Sequence, residues 1–510
     1  MVELKTDVEP REYQKSIAET AKVENTLVVL PTGMGKTLIS LLVAVDRLTK
    51  YPETKIMILS PTRPLSIQHK KTFENFTDIP NEEIVLLTGK INPEDRTTLY
   101  KNARIVIATP QTIENDLKNE RVRLDNFSLI VFDESHRAVK DYAYTYVAKA
   151  FRIQSHHSLI LGLTASPGAS REKIRTICGN LFINKVEIRS EYDKDVERHV
   201  QPVEKEQIYV ELPEKFKKIK VLMEEVLKDD LYWLKEHHYI PIYKPVKKLL
   251  LDAQRRIMAR YTAGSKNFGA FWAAIRLASA IKVLHAIELL ETQGVAFFYD
   301  FLKKLEGSRK KTDVRLTKDP RLRESMRLAE ELNNEGVEHP KIGKIISIVK
   351  GLLEEKPESK IIIFANFRST VNRLHKLLKE NGTASEILIG QAIKEGKGLT
   401  QQQQEKILER FREGEFPVLL GTQVIEEGID VPYINYAIFY ETVPSEIRSI
   451  QRRGRVGRQA VGKVIFLITK GTRDEAYYYT ALRKERAMKN TLYGMRGKQI
   501  KRKQNLLDWV

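Results

Sequence analysis

From Leu27 to about Ile188, short apolar runs rich in β-branched residues alternate with longer stretches of mixed polarity: Leu27–Leu30, Ile56–Leu59, Ile84–Leu87, Ile105–Ile107, Leu129–Phe132 and Leu159–Leu161. Runs that are apolar at every position need cover on both faces, so this rhythm predicts a parallel sheet with helices on each side. It returns after Gly336 with Ile361–Phe364, Glu386–Ile389, Val418–Leu420, Tyr436–Phe439 and Val464–Leu467, which predicts a second α/β domain. From about Pro202 to Glu335 the strand rhythm is missing. There FGAFWAAIRLASAIKVLHAIELLE at 268–291 has large apolar residues at three- and four-residue spacing, the pattern of a long buried helix. The expected organisation is an α/β domain over 1–200, an all-α insert over 201–335, a second α/β domain over 336–482 and a basic C-terminal tail over 483–510.

Length agrees with several domains, since single cores stop growing near about 250–300 residues and this chain has 510. Charge narrows the class of partner. The formal net charge is +19, and a surface of that sign attracts polyanions, nucleic acid first among them. The charge is also concentrated: residues 241–323 hold 18 Lys and Arg against 7 Asp and Glu, a net of +11. The insert is therefore expected to touch phosphate. Apolar runs fall far short of the ~20 residues a membrane span needs, and Met1–Asp7 carries neither a secretory signal nor an acylation pattern, so no membrane partner is expected. Cys178 is the single cysteine, which excludes an internal disulfide and a cysteine-rich metal site and suits a reducing compartment. The expected location is cytoplasmic, associated with the nucleoid.

Candidate chemistry begins after the first apolar run. Thr32, Gly33, Met34, Gly35, Lys36 and Thr37 (PTGMGKT at 31–37) separate a predicted strand from a predicted helix, the order a phosphate cradle requires. Glycines let the backbone approach phosphate, Lys36 adds a cation, and Thr37 can ligate magnesium. Leu30 stands where the first Gly of the usual pattern would be. Asp133 and Glu134 follow Leu129–Phe132 at the carboxyl end of a predicted parallel strand, where ligands bind in open sheets. Asp133 suits a magnesium-bound water, so the metal candidates are Thr37 and Asp133, and Glu134 suits the attacking water. Alone, such a pair is equally an ordinary acidic turn. Charge on a phosphoryl group in transfer is met by guanidinium from outside the cradle, and Gln451, Arg452, Arg453, Arg455 and Arg458 (QRRGRVGR at 451–458) are the candidates. Alone, they too could be a solvated basic face.

Taken in order, these segments resemble the superfamily 2 helicases over nearly the whole chain: PTGMGKT at 31–37, PTRPL at 61–65, TPQ at 109–111, DESH at 133–136, TAS at 164–166, IIIFANFR at 361–368, TQVIEEGIDVP at 422–432 and QRRGRVGR at 451–458. The resemblance implies two RecA-like domains sharing one site for ATP and Mg2+. It implies that Arg11 and Gln14 recognise adenine, that Gly428 and Asp430 line the nucleotide from the second domain, and that Arg455 and Arg458 are arginine fingers. It places Arg63, Thr109 and Thr422 on a nucleic-acid backbone and gives His136, Thr164 and Ser166 the coupling of nucleotide state to strand grip. For each hydroxyl a local turn bond is the alternative. Within the superfamily, HAIELLETQG at 285–294, VPSEIRSIQRRGR at 443–455 and KGTRDEAYY at 470–478 are similar to the archaeal Hef helicases, relatives of the FANCM translocases. That implies 3′-to-5′ movement on forked or branched DNA, in replication restart and repair, by the helicase part without a nuclease domain. Ser135 replaces the more usual Ala of the DEAH form.

In the insert, Lys244, Lys247, Lys248, Arg255, Arg256 and Arg260 suit successive helix faces and are expected on duplex DNA near a fork. A charge-rich solvated helical surface is the alternative. From Arg483 to Lys503 there are nine basic residues and one acidic, ahead of Leu506–Val510. That end faintly resembles a sliding-clamp-binding peptide with Leu506 and Trp509 as anchors, and makes a clamp a candidate partner. Two rival functions remain. One is a double-stranded-RNA-dependent ATPase of the RIG-I type, whose zinc-bearing RNA domain one cysteine cannot build. The other is a silent scaffold for branched DNA, which would have no need of Lys36, Asp133 and Glu134.

Overall fold

A computed structural model describes residues 2–5, 9–168, 170–199, 203–262, 268–390, 398–422, 434–442 and 462–494. The first sheet contains β1 (Thr26–Val29), β2 (Lys55–Leu59), β3 (Ile84–Leu87), β4 (Ile105–Ala108), β5 (Phe127–Phe132), β6 (Leu159–Thr164) and β7 (Lys185–Ile188). Their order is β3-β4-β2-β5-β6-β1-β7, and every pairing is parallel. Alternate residues feed two separate cores, as parallel strands covered on both faces require. Leu27, Val29, Met57 and Leu59 join one cluster, and Val28, Leu30, Ile56 and Ile58 the other. Sheet order brings β2 beside β5, so whatever follows Leu59 lies next to whatever follows Phe132.

The second sheet holds β8 (Val203–Val210), β9 (Ile361–Phe364), β10 (Ser385–Leu388), β11 (Val418–Gly421), β12 (Tyr436–Phe439) and β13 (Gly462–Thr469), in the order β10-β11-β9-β12-β13-β8. Here the structure departs from the expected division of the chain. Residues 203–210 were expected in the helical insert, yet β8 pairs with β13 along its whole length, Val203 with Gly462 through Val210 with Thr469. It is an edge strand of sequence VEKEQIYV with charged residues on an open face, so it lacks the continuous apolar signal of its neighbours. The helical bundle starts at Glu214 and runs through Glu214–Glu236, Lys247–Thr262, Phe268–Thr292, Val295–Glu306, Lys311–Thr317 and Pro320–Asn334 around one apolar cluster. Phe268–Thr292 is its central helix, buried at Ala273, Leu277, Ala280, Leu284, Ile287 and Leu290.

The bundle is fastened to the second sheet at one joint. Gly294 turns the chain there with φ 100°, and a Cβ at that position would come within 3.2 Å of His339. His339 is buried; its Nε2 donates to the Glu291 carbonyl at 3.0 Å, and its Nδ1 accepts from the Lys341 amide at 3.2 Å. The Glu291 carboxylate meets the Lys220 ammonium at 2.9 Å and the Arg473 amide at 3.3 Å. Burial, reinforced by the Lys341 charge and only partly opposed by the Glu291 carbonyl and Asp474, pushes the His339 imidazole down to about 3. The unfolded chain titrates near 6.5, so below that pH it binds a proton the native state refuses. Stability is therefore complete above about 6.5 and is lost as pH falls toward 3. Urea unfolding at pH 6.5 and 5.0 is expected to show a loss of roughly 1.5 kcal/mol in the wild type beyond that in His339→Asn. Parallel pH slopes in the two proteins would refute this.

A C-terminal helix, Arg473–Tyr493, ties the parts together and runs unbroken through the expected boundary at 482. At its start, Arg473 donates to the Leu284 carbonyl of the bundle at 2.8 Å. In its middle, the Tyr478 hydroxyl accepts from Gln207 of β8 at 2.6 Å. At its end, Met488 and Leu492 join the core of the first sheet, and the Tyr493 hydroxyl lies 2.7 Å from that of Ser190. No described helix is long and apolar enough to cross a membrane.

Candidate functional site

The glycine-rich loop leaves β1 and enters the helix Lys36–Lys50. Gly33 and Gly35 have φ of 85° and 74°, which other residues adopt only under strain. At Gly35 space is the second constraint, because a Cβ would lie 2.3 Å from Gln14 Nε2. Gln14 is buried and donates to the Met34 carbonyl at 3.2 Å, the Tyr13 hydroxyl donates to the same carbonyl at 3.0 Å, and the Arg11 amide donates to Gln14 Oε1 at 2.8 Å. The expected adenine readers, Arg11 and Gln14, are thus fixed to the rim of the loop. Lys36 folds its ammonium onto the carbonyls of Leu30 at 3.0 Å and Pro31 at 3.3 Å. Thr32 opens the turn and Thr37 follows Lys36 in the helix's first turn, where unbonded amides point outward.

Asp133 and Glu134 follow β5. The Asp133 carboxylate accepts from His69 Nε2 at 3.0 Å and from the Glu134 amide at 2.9 Å. Its backbone is pinned as well, with the Tyr144 hydroxyl donating to the carbonyls of Asp133 at 2.6 Å and Leu59 at 3.1 Å. Burial opposes ionisation of Asp133, yet the His69 contact, the Lys36 charge and the Glu134 amide together hold it below the usual carboxylate range. The group is an anion at neutral pH that feels the Lys36 charge, and an anionic carboxylate of this kind is a chemically suitable ligand for a divalent cation. Glu134 sits in the left-handed region with φ 48°, a strained conformation for a residue with a side chain.

The three coupling candidates lie in one chain of contacts. Glu134 Oε2 is 3.2 Å from His136 Nδ1, which is 3.3 Å from Thr164 Oγ1, and that hydroxyl accepts from the Ser166 amide at 3.1 Å. Ser166 Oγ then donates to Met488 Sδ at 3.0 Å, carrying the chain into the C-terminal helix. Arg63, Thr109 and Thr422 follow β2, β4 and β11 at their carboxyl ends. Arg63 opens onto a cleft of about 1030 Å³ between the helices Arg63–Phe76 and Gln401–Glu413, where Lys71, Lys90 and Arg412 add positive charge. Thr109 bonds locally to Thr112 at 2.8 Å, and Thr422 is buried. In the bundle, Lys244, Lys247, Lys248, Arg255 and Arg256 are all exposed. Lys247 is paired with Glu288 at 3.1 Å and Arg255 with Asp252 at 3.3 Å. The side chain of Arg260, together with Gly428, Asp430, Gln451, Arg455, Arg458 and the tail anchors Leu506 and Trp509, lies outside the described residues.

Sequence reasoning passed over His69, Tyr144 and Met488. A signal existed for His69: it lies on the buried face of its helix with Ser66 and Phe73, where a polar ring needs a partner. Ser135 poses the opposite problem. It is fully buried, and its hydroxyl has no hydrogen-bond partner among the described residues. Ser135→Ala is expected to raise stability by about 1 kcal/mol, since it removes an unpaired buried hydroxyl. An unchanged or lowered urea midpoint would show that the hydroxyl is satisfied in solution.

A phosphate loop, a pinned carboxylate pair and a relay of polar contacts at the carboxyl edge of one parallel sheet, joined to a second such sheet, define a DExH-type nucleotide motor. The DEAD/DEAH box helicase family matches residues 11–174 and the helicase conserved C-terminal domain matches residues 341–460. The helical bundle of a provisionally named ATP-dependent RNA helicase family matches residues 215–336. The crystal structure of the Hef helicase domain of Pyrococcus furiosus is 43% identical, with a TM-score of 0.73, covering 94% of this chain and 100% of that one. A Methanocaldococcus jannaschii protein named, provisionally, as an ATP-dependent RNA helicase is 45% identical over 96% of this chain. The ATP-dependent DNA helicase fml1 of Schizosaccharomyces pombe is 29% identical over 97% of this chain. The chain spans 61% of the length of each of these last two relatives. It belongs to the superfamily 2 DExH helicases, in the Hef helicase family.

Proposed function

We propose that this chain is an ATP-driven motor that moves 3′-to-5′ along one strand of forked or branched DNA, unwinding or remodelling the junction. The observation that carries this reading is the relay from Glu134 through His136, Thr164 and Ser166 to Met488, which joins the nucleotide site to a helix anchored on the bundle. The likeness to the Hef helicase domain and the DNA helicase name of the fission-yeast relative support DNA as the track.

In this mechanism the amides of the loop and Lys36 hold the phosphates, and Lys36 exchanges its two loop carbonyls for phosphoryl oxygens. Thr37 and Asp133 are the residues that would hold a magnesium ion, which would supply neutralising charge for the phosphates. Glu134 orients the attacking water and takes its proton. Gln451, Arg455 and Arg458 of the second domain are the groups assigned to meet charge on the phosphoryl group in transfer, and Gly428 and Asp430 those assigned to line the nucleotide. Hydrolysis thereby depends on closure of the two domains. Arg63, at the cleft, together with Thr109 and Thr422 is assigned to hold the strand backbone, and the basic bundle residues to grip duplex phosphate. A sliding clamp reached through the C-terminal tail is a further candidate partner.

The name of the Methanocaldococcus relative, an RNA helicase, favours RNA as the track and so keeps a second reading, an ATPase driven by double-stranded RNA. Steady-state ATP hydrolysis with no nucleic acid, forked DNA, linear duplex DNA and double-stranded RNA separates the two, with Lys36→Ala as the control. Forked DNA is expected to stimulate most, and the control to lose the stimulation. Preference for double-stranded RNA would transfer the assignment to the RNA reading.

A further inference from the structure

We propose that the exposed end of the bundle's central helix is a stacking site for an unpaired nucleobase, formed by Phe268 and Trp272 with Phe271 beside them. This rests on the nucleic-acid reading above and makes it more specific. Phe268–Thr292 is largely buried from Ala273 onward, but two aromatic residues near its start are not: Phe268 is 77% exposed and Trp272 38%. The two are four residues apart on one face of the helix, their centroids 6.1 Å apart and their planes at 74°. Phe271 stands 6.3 Å from Trp272, and the Lys311 ammonium lies 4.9 Å from the centre of its ring. The antiparallel neighbour Lys247–Thr262 adds exposed Arg255, Arg256 and Met258.

Two large aromatic side chains left in water at a helix end forgo the gain of burial. In this protein they do so inside a basic stretch of the chain, the net +11 of residues 241–323. Cations alone suffice to hold a phosphate backbone. An aromatic platform adds something only for a base whose face is open, because bases inside a duplex are already stacked on one another. Aromatic rings interleaved with cations are the chemistry of single-strand binding, where each ring takes one base regardless of sequence. Open base faces occur where a duplex parts, so the site selects the branch point or an unpaired arm over uninterrupted duplex.

The test uses the full chain without nucleotide and forked DNA carrying 2-aminopurine at the unpaired position next to the branch. Wild-type protein is expected to quench the probe by stacking, and Phe268→Ala/Trp272→Ala to lose the quench. Fork affinity should drop about tenfold in that variant, while affinity for linear duplex stays within about twofold. Phe268→Ser alone, at the most exposed position, guards against a folding artefact and should weaken the quench, whereas Trp272→Phe should retain it. An equal quench in the wild type and the double variant overturns the proposal, as does absence of any quench in the wild type, the result if this end docks a protein partner. Absence of DNA-stimulated ATP hydrolysis in the wild type would instead defeat the motor reading, and is measured separately.

Discussion

Replacing Lys341 by Met lowers the stability of the second domain by about 3–5 kcal/mol. The Lys341 ammonium is wholly buried; it donates to Asp474 Oδ2 at 2.6 Å and to the Tyr440 carbonyl at 2.6 Å. Asp474 also accepts from the amides of Thr442 and Thr469, each at 3.0 Å, and from the Thr442 hydroxyl at 2.8 Å. Burial works against the charged form of Asp474, but Lys341 and the two amides hold it below the normal carboxylate range. Without Lys341 the carboxylate stays buried with its counter-ion gone, and an uncompensated charge costs more than the pair contributed. Lys341→Met/Asp474→Asn should therefore regain part of the loss, since the stranded charge is removed and the amide keeps an oxygen for the Thr442 amide and hydroxyl on Oδ1, while the Thr469 amide, bonded to Oδ2, loses its acceptor. Urea titration of the three proteins measures this. A single variant within 1 kcal/mol of the wild type would show that the pair is not dry in solution. Its position gives the pair consequence, because Asp474 opens the helix that links the bundle, the second sheet and the first core.

Whether a feature could be read from the sequence depended on how local its cause is. Strands such as Ile56–Leu59 and Ile361–Phe364 were legible because sheets covered on both faces demand apolar residues at every position. β8 was not, because an edge strand is only partly covered on both faces, and Glu204, Lys205 and Glu206 sit at its exposed and half-exposed positions. The phosphate loop was legible because its constraints act within seven residues, and the space at Gly35 adds a reason for glycine that sequence could not supply. His69 could be marked only as a polar ring needing a partner; that the partner is Asp133, 64 positions away, follows from the pairing of β2 with β5. Met488 was hidden for the same reason, 322 residues from the Ser166 hydroxyl that it accepts. The exposed aromatic end of Phe268–Thr292 read as core in the sequence, because periodicity records which residues are apolar and not which end of a helix lies beyond its neighbours.

His69→Leu is expected to lower the rate of ATP hydrolysis by about 10- to 100-fold and to raise the Mg2+ concentration required by a similar factor. His69 is 2% exposed, and its Nδ1 has no partner among the described residues, which assigns the proton to Nε2, facing Asp133 Oδ2 at 3.0 Å. The Asp133 carboxylate is thereby held by two donors, one on each oxygen, with the Lys36 charge acting on it as well. Leucine fills the space of the ring but donates nothing, so the carboxylate can turn away from the productive angle. His69→Gln places an N–H near the same point and should recover most of the rate. A fall in rate without any change in Mg2+ requirement, or no recovery with Gln, would reduce His69 to packing. The helix that carries His69 begins at Arg63, the residue proposed to hold the strand backbone, so one helix of 14 residues reaches from the cleft to the carboxylate proposed to hold the metal. Strand binding that shifts this helix must shift the donor on Asp133. The ratio of DNA-stimulated to basal hydrolysis should therefore fall in His69→Leu, beyond the loss in the basal rate itself.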